Sequence, residues 1–175
     1  MGSILEALSP EQQIACSTQN NILLTACPGS GKTRTLTHRL AYQVLRDPAS
    51  KKIKIAITYT NRAAEEITNR LEGMNIDQSS IWAGTIHQFC MHFIIRPYAM
   101  YSKRLCKGYR IIDDYSKKAY GREIAERLGM HLNYYDDPFQ YENVRTEYKR
   151  VLKEKKEIDF DAILLISEEL LASCA

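Results

Sequence analysis

The alternation of apolar and polar positions divides the chain into short elements of two different periods. Ser9-Pro10-Glu11-Gln12 has the form of a helix start, with Ser9 as N-cap, Pro10 at the first helical position and Gln12 three residues after the cap. Asn21 to Ala26 is a short apolar run that predicts a strand, and Cys27 to Gly31 is a turn rich in Gly and Pro. Leu36, Leu40, Val44 and Leu45 then recur at helical spacing, predicting a helix from Lys32 to Leu45 that Asp47-Pro48 ends. Ile53, Ile55 and Ile57 predict a strand, and Asn61 to Leu71 a helix closed by Gly73. Ile81 to Gly84 predicts another strand, and Thr85 to Ile95 a helix stopped by Pro97. Strands alternating with helices in this order predict an α/β domain with a parallel sheet.

The pattern changes after Pro97. The stretch 98–157 is richer in charge and tyrosine, with helical periodicity over Tyr115 to Leu128 and Tyr141 to Lys156, and reads as a helical insertion. Asp159 to Leu171 returns to an apolar, helix-spaced segment.

Composition narrows the class. With 175 residues, 45% of them apolar and 26% charged, the chain is of globular type, and a disordered or collagen-like chain is excluded. No window approaches the roughly 18 uninterrupted apolar residues of a membrane span, so no membrane partner is expected. The first ten residues lack a basic and an apolar region of secretory type, which makes the cytoplasm the expected compartment. The five cysteines (Cys16, Cys27, Cys90, Cys106, Cys174) have no metal-ligand spacing and are expected to be small buried thiols. A net charge of +3 is too small to argue for a nucleic-acid partner by itself. Its distribution says more: Lys103, Arg104, Lys107 and Arg110 form an acid-free run with Tyr101 and Tyr109 beside it. Such a run suits a phosphate backbone, here taken as a duplex-DNA contact, although a solvated surface loop has the same composition.

The most specific chemistry lies in Ala26-Cys27-Pro28-Gly29-Ser30-Gly31-Lys32-Thr33, a phosphate-loop pattern with Ala26 in place of the first glycine. Gly29 and Gly31 permit backbone conformations that aim N–H groups at phosphate oxygens. Lys32 brings a point charge to the β and γ phosphates, Thr33 a hydroxyl to Mg²⁺, and the following helix its positive dipole end. A nucleoside triphosphate with Mg²⁺ is the expected ligand.

The segment Ala26 to Tyr42 (ACPGSGKTRTLTHRLAY) resembles the AGxGSGKTRVLTHRIAY of superfamily 1 helicases of the UvrD/Rep/PcrA type, in which alanine is usual at the first position. Leu8 to Gln12 resembles that family's Q motif, LNxxQ, which implies that Gln12 reads adenine; a carboxamide can pair with the N6 and N7 edge of that base. The resemblance also places Arg34 at the nucleotide. Ile57 to Ala64 (ITYTNRAA) is similar to TFTNKAA, and Gly84 to Phe89 (GTIHQF) to GTFHxL. These matches imply contacts to single-stranded DNA by Tyr59, Thr60, Asn61, Arg62, Thr85 and His87, with Tyr59 able to stack on a base. Ile158 to Leu165 resembles VDFxxLL, where the family's chain returns from its 1B insertion to the 1A domain. The resemblance thus implies a RecA-like phosphate-loop NTPase core, domain 1A, over 1–97 and 158–175, interrupted by a small helical 1B-like insertion over 98–157.

An ATPase of this type also needs an Asp-Glu pair after an apolar run, to hold Mg²⁺ and orient the attacking water. Ile111-Ile112-Asp113-Asp114 fits better as a strand end and helix cap, and Leu164 to Glu169 carries Ser167 where the aspartate belongs. The expectation is therefore layered. A parent protein would be an ATP-dependent 3′-to-5′ DNA helicase and translocase acting on single-stranded and duplex DNA. This chain would carry its ATP-binding and part of its DNA-binding residues, with Lys32 and Thr33 as catalytic groups, without turning over ATP alone. A standalone nucleotide- or DNA-binding module without catalysis, or another phosphate-loop enzyme such as a nucleotide kinase, are the alternatives.

Overall fold

A computed structural model describes residues 2–173; Cys174 lies outside the described residues. The chain folds as two compact units, Met1–Ile86 and His87–Ala175.

The first unit contains α1 (Gly2–Leu5), α2 (Pro10–Ser17), α3 (Lys32–Arg46), β1 (Lys54–Thr58), α4 (Asn61–Glu72) and β2 (Ile81–Thr85). Ser9 starts α2 through a complete capping box: its hydroxyl accepts the Gln12 N–H while the Gln12 carboxamide accepts the Ser9 N–H. Such a reciprocal cap satisfies two helix-end donors at once. β1 and β2 pair in parallel, in register from Lys54 opposite Ile81 to Thr58 opposite Thr85. Parallel strands need a crossover, and α4 supplies it. The core of the unit is Leu40 and Ala41 of α3, Ala56 of β1, and Ile67 and Leu71 of α4. Strand–helix–strand with a parallel pair is the α/β organisation expected from the pattern.

Asn21 to Ala26 departs from expectation. It is no strand, and Ile22, Leu23 and Leu24 are 41%, 89% and 41% exposed. The reason is pairing: a strand exists through ladder hydrogen bonds to a neighbour, and among the described residues β1 and β2 bond only each other. An apolar run encodes the tendency, not the partner.

α5 (Ile86–Phe89) begins at the last residue of the first unit and runs into a π-helical stretch, Cys90–Ile95, then into α6 (Arg96–Tyr98) and a 3₁₀ turn, Ala99–Tyr101. Pro97 was expected to stop a single α-helix after Ile95; instead it sits in the first turn of α6. The wider π turn, closed by the Arg96 N–H on the Met91 carbonyl five residues back, carries the helix past the proline. It also turns Cys90, Ile94 and Ile95 inward against Ile163, Ile166 and Leu170.

β3 (Arg110–Ile111) pairs in parallel with β4 (Glu157–Ile158), and between them lie α7 (Asp114–Arg127), a 3₁₀ turn at Pro138–Gln140 and α8 (Glu142–Lys155). α9 (Phe160–Ser173) follows. Ile124 and Ala125 of α7 pack on Val144, Tyr148 and Leu152 of α8 in a second apolar cluster. Gly121 is where the 3₁₀ turn comes closest: a Cβ there would lie 2.9 Å from the Phe139 ring. Ile111 to Asp114 is the expected strand end and cap, the Asp113 carboxylate accepting the Ser116 N–H at 2.8 Å. Leu164 to Glu169 lies within α9. Of the cysteines expected to be buried, Cys16 and Cys90 are, while Cys27 and Cys106 are exposed because each lies in a turn. No helix among the described residues is long and apolar enough to cross a membrane.

Candidate functional site

The phosphate-loop residues Ala26 to Ser30 are all exposed, at the end of the unpaired apolar run. Gly29 and Gly31 adopt left-handed conformations, φ 79° and 89°, which disfavour any L side chain. At Gly31 there is a second constraint, since a Cβ would stand 3.0 Å from the Gln12 carboxamide nitrogen. The loop winds around one cation. Lys32 Nζ donates to the carbonyls of Ala26 at 2.7 Å and Cys27 at 2.8 Å. The Ser30 hydroxyl donates to the same Cys27 carbonyl at 2.6 Å. Pro28 has no N–H to compete for these acceptors.

Gly31 is also the N-cap of α3, and it offers no side-chain hydrogen bond. By contrast Ser9, Thr60 and Asp113 cap α2, α4 and α7 with their own oxygens. The first-turn amides of α3 thus have no side-chain acceptor supplied by their cap, and the positive helix end adds to the attraction for an anion. Thr33 stands half-buried in that first turn.

Two long side chains tie α2 and its approach to the loop. Gln12 Nε2 donates to the Ser30 carbonyl at 3.2 Å, and Arg34 donates to the Ala7 carbonyl at 2.8 Å. Gln12 therefore serves the capping box with its oxygen and the loop with its nitrogen. Behind it the Cys16 thiol is buried and donates to the Thr35 carbonyl at 3.3 Å; burial pushes its pKa up, away from thiolate reactivity.

The second group of expected residues follows β1. Tyr59 is 97% exposed, an unusual position for a large ring. Thr60 caps α4, accepting the Ala63 N–H at 3.2 Å, and the exposed Asn61 and Arg62 form the first turn. Thr58 donates to the Thr60 carbonyl at 2.9 Å and so fixes the turn between strand and helix. Thr85 lies beside Thr58 at the same end of the strand pair. These residues are brought together; His87 belongs to the second unit, where its ring stands edge-on to Phe160 at 5.5 Å.

The phosphate loop, its uncapped helix and the exposed Tyr59–Arg62 turn are the features to compare with known proteins. The UvrD/REP helicase N-terminal domain family matches residues 8–140. The chain belongs to that family. It is 39% identical over 98 residues to "ATP-dependent DNA helicase PcrA" of Staphylococcus aureus strain Mu50, covering 55% of this chain and 13% of that protein. With the protein of the same name from Bacillus subtilis strain 168 it shares 40% over 95 residues, 53% of this chain and 13% of the relative. The matched region thus spans about an eighth of these helicases.

The sequence did not single out the polar centre of the second unit. The Tyr148 hydroxyl donates to Asp159 at 3.0 Å, Asp159 also accepts the Ala162 N–H at 2.9 Å, and Lys117 pairs with Asp161 at 2.5 Å and Asp159 at 3.6 Å. Burial, and then the neighbouring Asp159 charge, push the Tyr148 phenol well above its ordinary value. Glu157 is 2% exposed and pairs with Arg110, leaving Oε2 without a partner. The VDFxxLL-like segment held the only trace of this centre, because Asp159 is its acid.

Proposed function

We propose that the chain is the ATP- and DNA-binding N-terminal part of an ATP-dependent DNA helicase that translocates 3′ to 5′ in the cytoplasm. One observation carries the reading: a glycine loop in left-handed conformation wraps the Lys32 ammonium at the uncapped start of α3. The Ala26 and Cys27 carbonyls hold the cation where phosphate oxygens would replace them. On binding ATP, Lys32 exchanges those carbonyls for the β and γ phosphates, and the amides from Gly29 to Thr33 take the remaining oxygens. Thr33 offers Mg²⁺ a hard oxygen ligand; the ion, when bound, neutralises phosphate charge. Gln12 gives up its bonds to Ser9 and Ser30 to read adenine, and Arg34 lies on the same side of the loop.

The core is proposed to be RecA-like, with the parallel pair of β1 and β2 together with α3 and α4 as its phosphate-binding part. The domain assignment, 1A over 1–97 and 158–175 with a 1B-like insertion over 98–157, belongs to the same proposal. Single-stranded DNA runs past Tyr59, Thr60, Asn61 and Arg62, with Thr85 and His87 as further contacts, and duplex DNA is the substrate to be opened. The names of the relatives support the assignment.

Of the acids that sequence could offer for catalysis, Asp113 is engaged as a helix cap, and Glu168 and Glu169 lie in α9 behind Ser167, which stands where an aspartate would be needed. Binding without turnover is the expected behaviour of this chain. The test joins a phosphate-release assay to fluorescence anisotropy on a labelled oligothymidine. Tyr59→Ala is expected to weaken oligothymidine binding about tenfold, with no phosphate release above background in either protein. Phosphate release that disappears with Lys32→Ala, or unchanged DNA affinity in Tyr59→Ala, would contradict the reading.

A further inference from the structure

The hydrogen bonds that tie α2 and its approach to α3 and the phosphate loop fall into two groups. Gln12, donating to the Ser30 carbonyl at 3.2 Å, and Arg34, donating to the Ala7 carbonyl at 2.8 Å, lie beside the loop. On the ATP-site reading both side chains turn to the nucleotide, which removes these two ties. The other group lies farther along both helices. The Cys16 thiol donates to the Thr35 carbonyl at 3.3 Å. Arg39 donates one guanidinium nitrogen to the Ala15 carbonyl and the other to the Asn20 carbonyl, the latter at 3.3 Å. These bonds use no atom of the loop or of Gln12, so ligand exchange at the loop leaves them in place.

Arg39 answers a need that α2 leaves open. The last four carbonyls of a helix have no intrahelical donor, and a cation near that end is favourable. α2 has no basic residue in its last turn, and Ala15 is among its last four residues. Arg39, half-buried on α3, supplies both the donor and the cation from outside. Its charge is felt at the second tie as well: burial raises the Cys16 pKa, and the Arg39 charge opposes that rise. The planar fork of a guanidinium holds two acceptors in one geometry, which an ammonium does not. α2 has eight residues, a rod about 12 Å long. A tilt at Ala15 is therefore delivered to Gln12, one turn earlier. The loop itself is closed without Arg39, by the Ser30 hydroxyl on the Cys27 carbonyl.

We propose, on the ATP-site reading above, that Arg39 is a positioning residue for adenine recognition. It holds α2 so that the Gln12 carboxamide stays within reach of the base once the nucleotide has taken Gln12 from Ser30 and Arg34 from Ala7. Arg39 itself touches neither base nor phosphate. Its loss costs discrimination between bases and leaves phosphate binding, which depends on Lys32 and the loop amides, as it was.

The experiment displaces a ribose-labelled fluorescent ATP analogue from the full 175-residue chain. The competitors are ATP, GTP and inorganic tripolyphosphate, each with Mg²⁺, and the proteins are wild type, Gln12→Ala, Arg39→Ala and the double variant. Arg39→Ala is expected to weaken ATP about tenfold, the scale of one bidentate contact to a base. GTP and tripolyphosphate are expected to stay within about twofold of wild type. The double variant is expected to bind ATP no more weakly than Gln12→Ala, because both changes remove the same contact. Arg39→Lys keeps a cation at the end of α2 without the fork; it is expected to fold as wild type by circular dichroism and to show an intermediate loss of ATP affinity, and it carries the test if the alanine variant does not fold. Unchanged preference for ATP in the Arg39 variants overturns the proposal. So does an equal loss for ATP, GTP and tripolyphosphate, which is what a merely structural role produces, or a loss that adds in full to that of Gln12→Ala. Wild type that binds ATP and GTP alike, or ATP binding insensitive to Lys32→Ala, is instead the failure of the ATP-site reading and removes the ground on which the role of Arg39 stands.

Discussion

The two units differ in what their residues are spent on. In Met1–Ile86 the apolar side chains of Ile22, Leu23, Leu24, Ile53, Ile55 and Ile57 are exposed, and the buried set is small. The same unit holds the phosphate loop and the Tyr59 turn. In His87–Ala175 two apolar clusters are closed around α9 and between α7 and α8, and a network of buried Tyr148 and Asp159 with half-buried Lys117 joins α7, α8 and the start of α9. The larger apolar clusters lie in the second unit, and the glycine loop lies in the first. A phosphate loop needs a few backbone conformations within eight residues, whereas a packed core needs partners tens of residues apart.

The contrast should be largest for deletions of apolar side chains. Ile163 is 1% exposed at the centre of its cluster, and Ile163→Ala is expected to cost about 2–5 kcal/mol by urea denaturation. Leu23→Ala, at a side chain 89% exposed, should stay within about 0.5 kcal/mol. Comparable losses at the two positions would break the contrast.

A smaller effect is expected at the polar centre. Tyr148→Phe removes a buried hydrogen bond to a carboxylate, worth roughly 1.5–3 kcal/mol. The phenol is held neutral above its ordinary value of 10.0 when folded. Above that pH the unfolded chain releases a proton that the native chain keeps, so this contribution is full below about pH 10 and is lost as pH rises further. Thermal melts from pH 8 to 11 should therefore fall more steeply for wild type than for Tyr148→Phe. Parallel curves would show that Tyr148 is not the group responsible.

The smallest effect sits in the first unit. Thr60→Ala removes the cap of α4 and should lower stability by about 1 kcal/mol. Because that cap also sets the Tyr59 turn, DNA affinity should fall with it, and a loss of stability with DNA binding intact would separate the two roles.

What the sequence revealed follows the same division. The Ser9 capping box, the starts of α2 and α3, the Asp113 cap and the glycine loop were legible because each is written in adjacent residues. Asn21 to Ala26 was misread because strand formation depends on a neighbour that the run itself does not specify. The π turn before Pro97 was missed because its cause is burial of Cys90, Ile94 and Ile95 against α9, about 70 residues later. The Arg110–Glu157 pair brings together distant stretches of chain, and no short window of sequence contains it.

The central claim is that the loop holding Lys32 is an ATP site. The most direct measurement is equilibrium titration of a fluorescent ATP analogue with Mg²⁺ into wild type and Lys32→Ala, with circular dichroism confirming that both are folded. Saturable binding by wild type, weakened at least tenfold by loss of the Lys32 charge, is the predicted result. Equal affinity in the two proteins, or no binding by wild type, would contradict it.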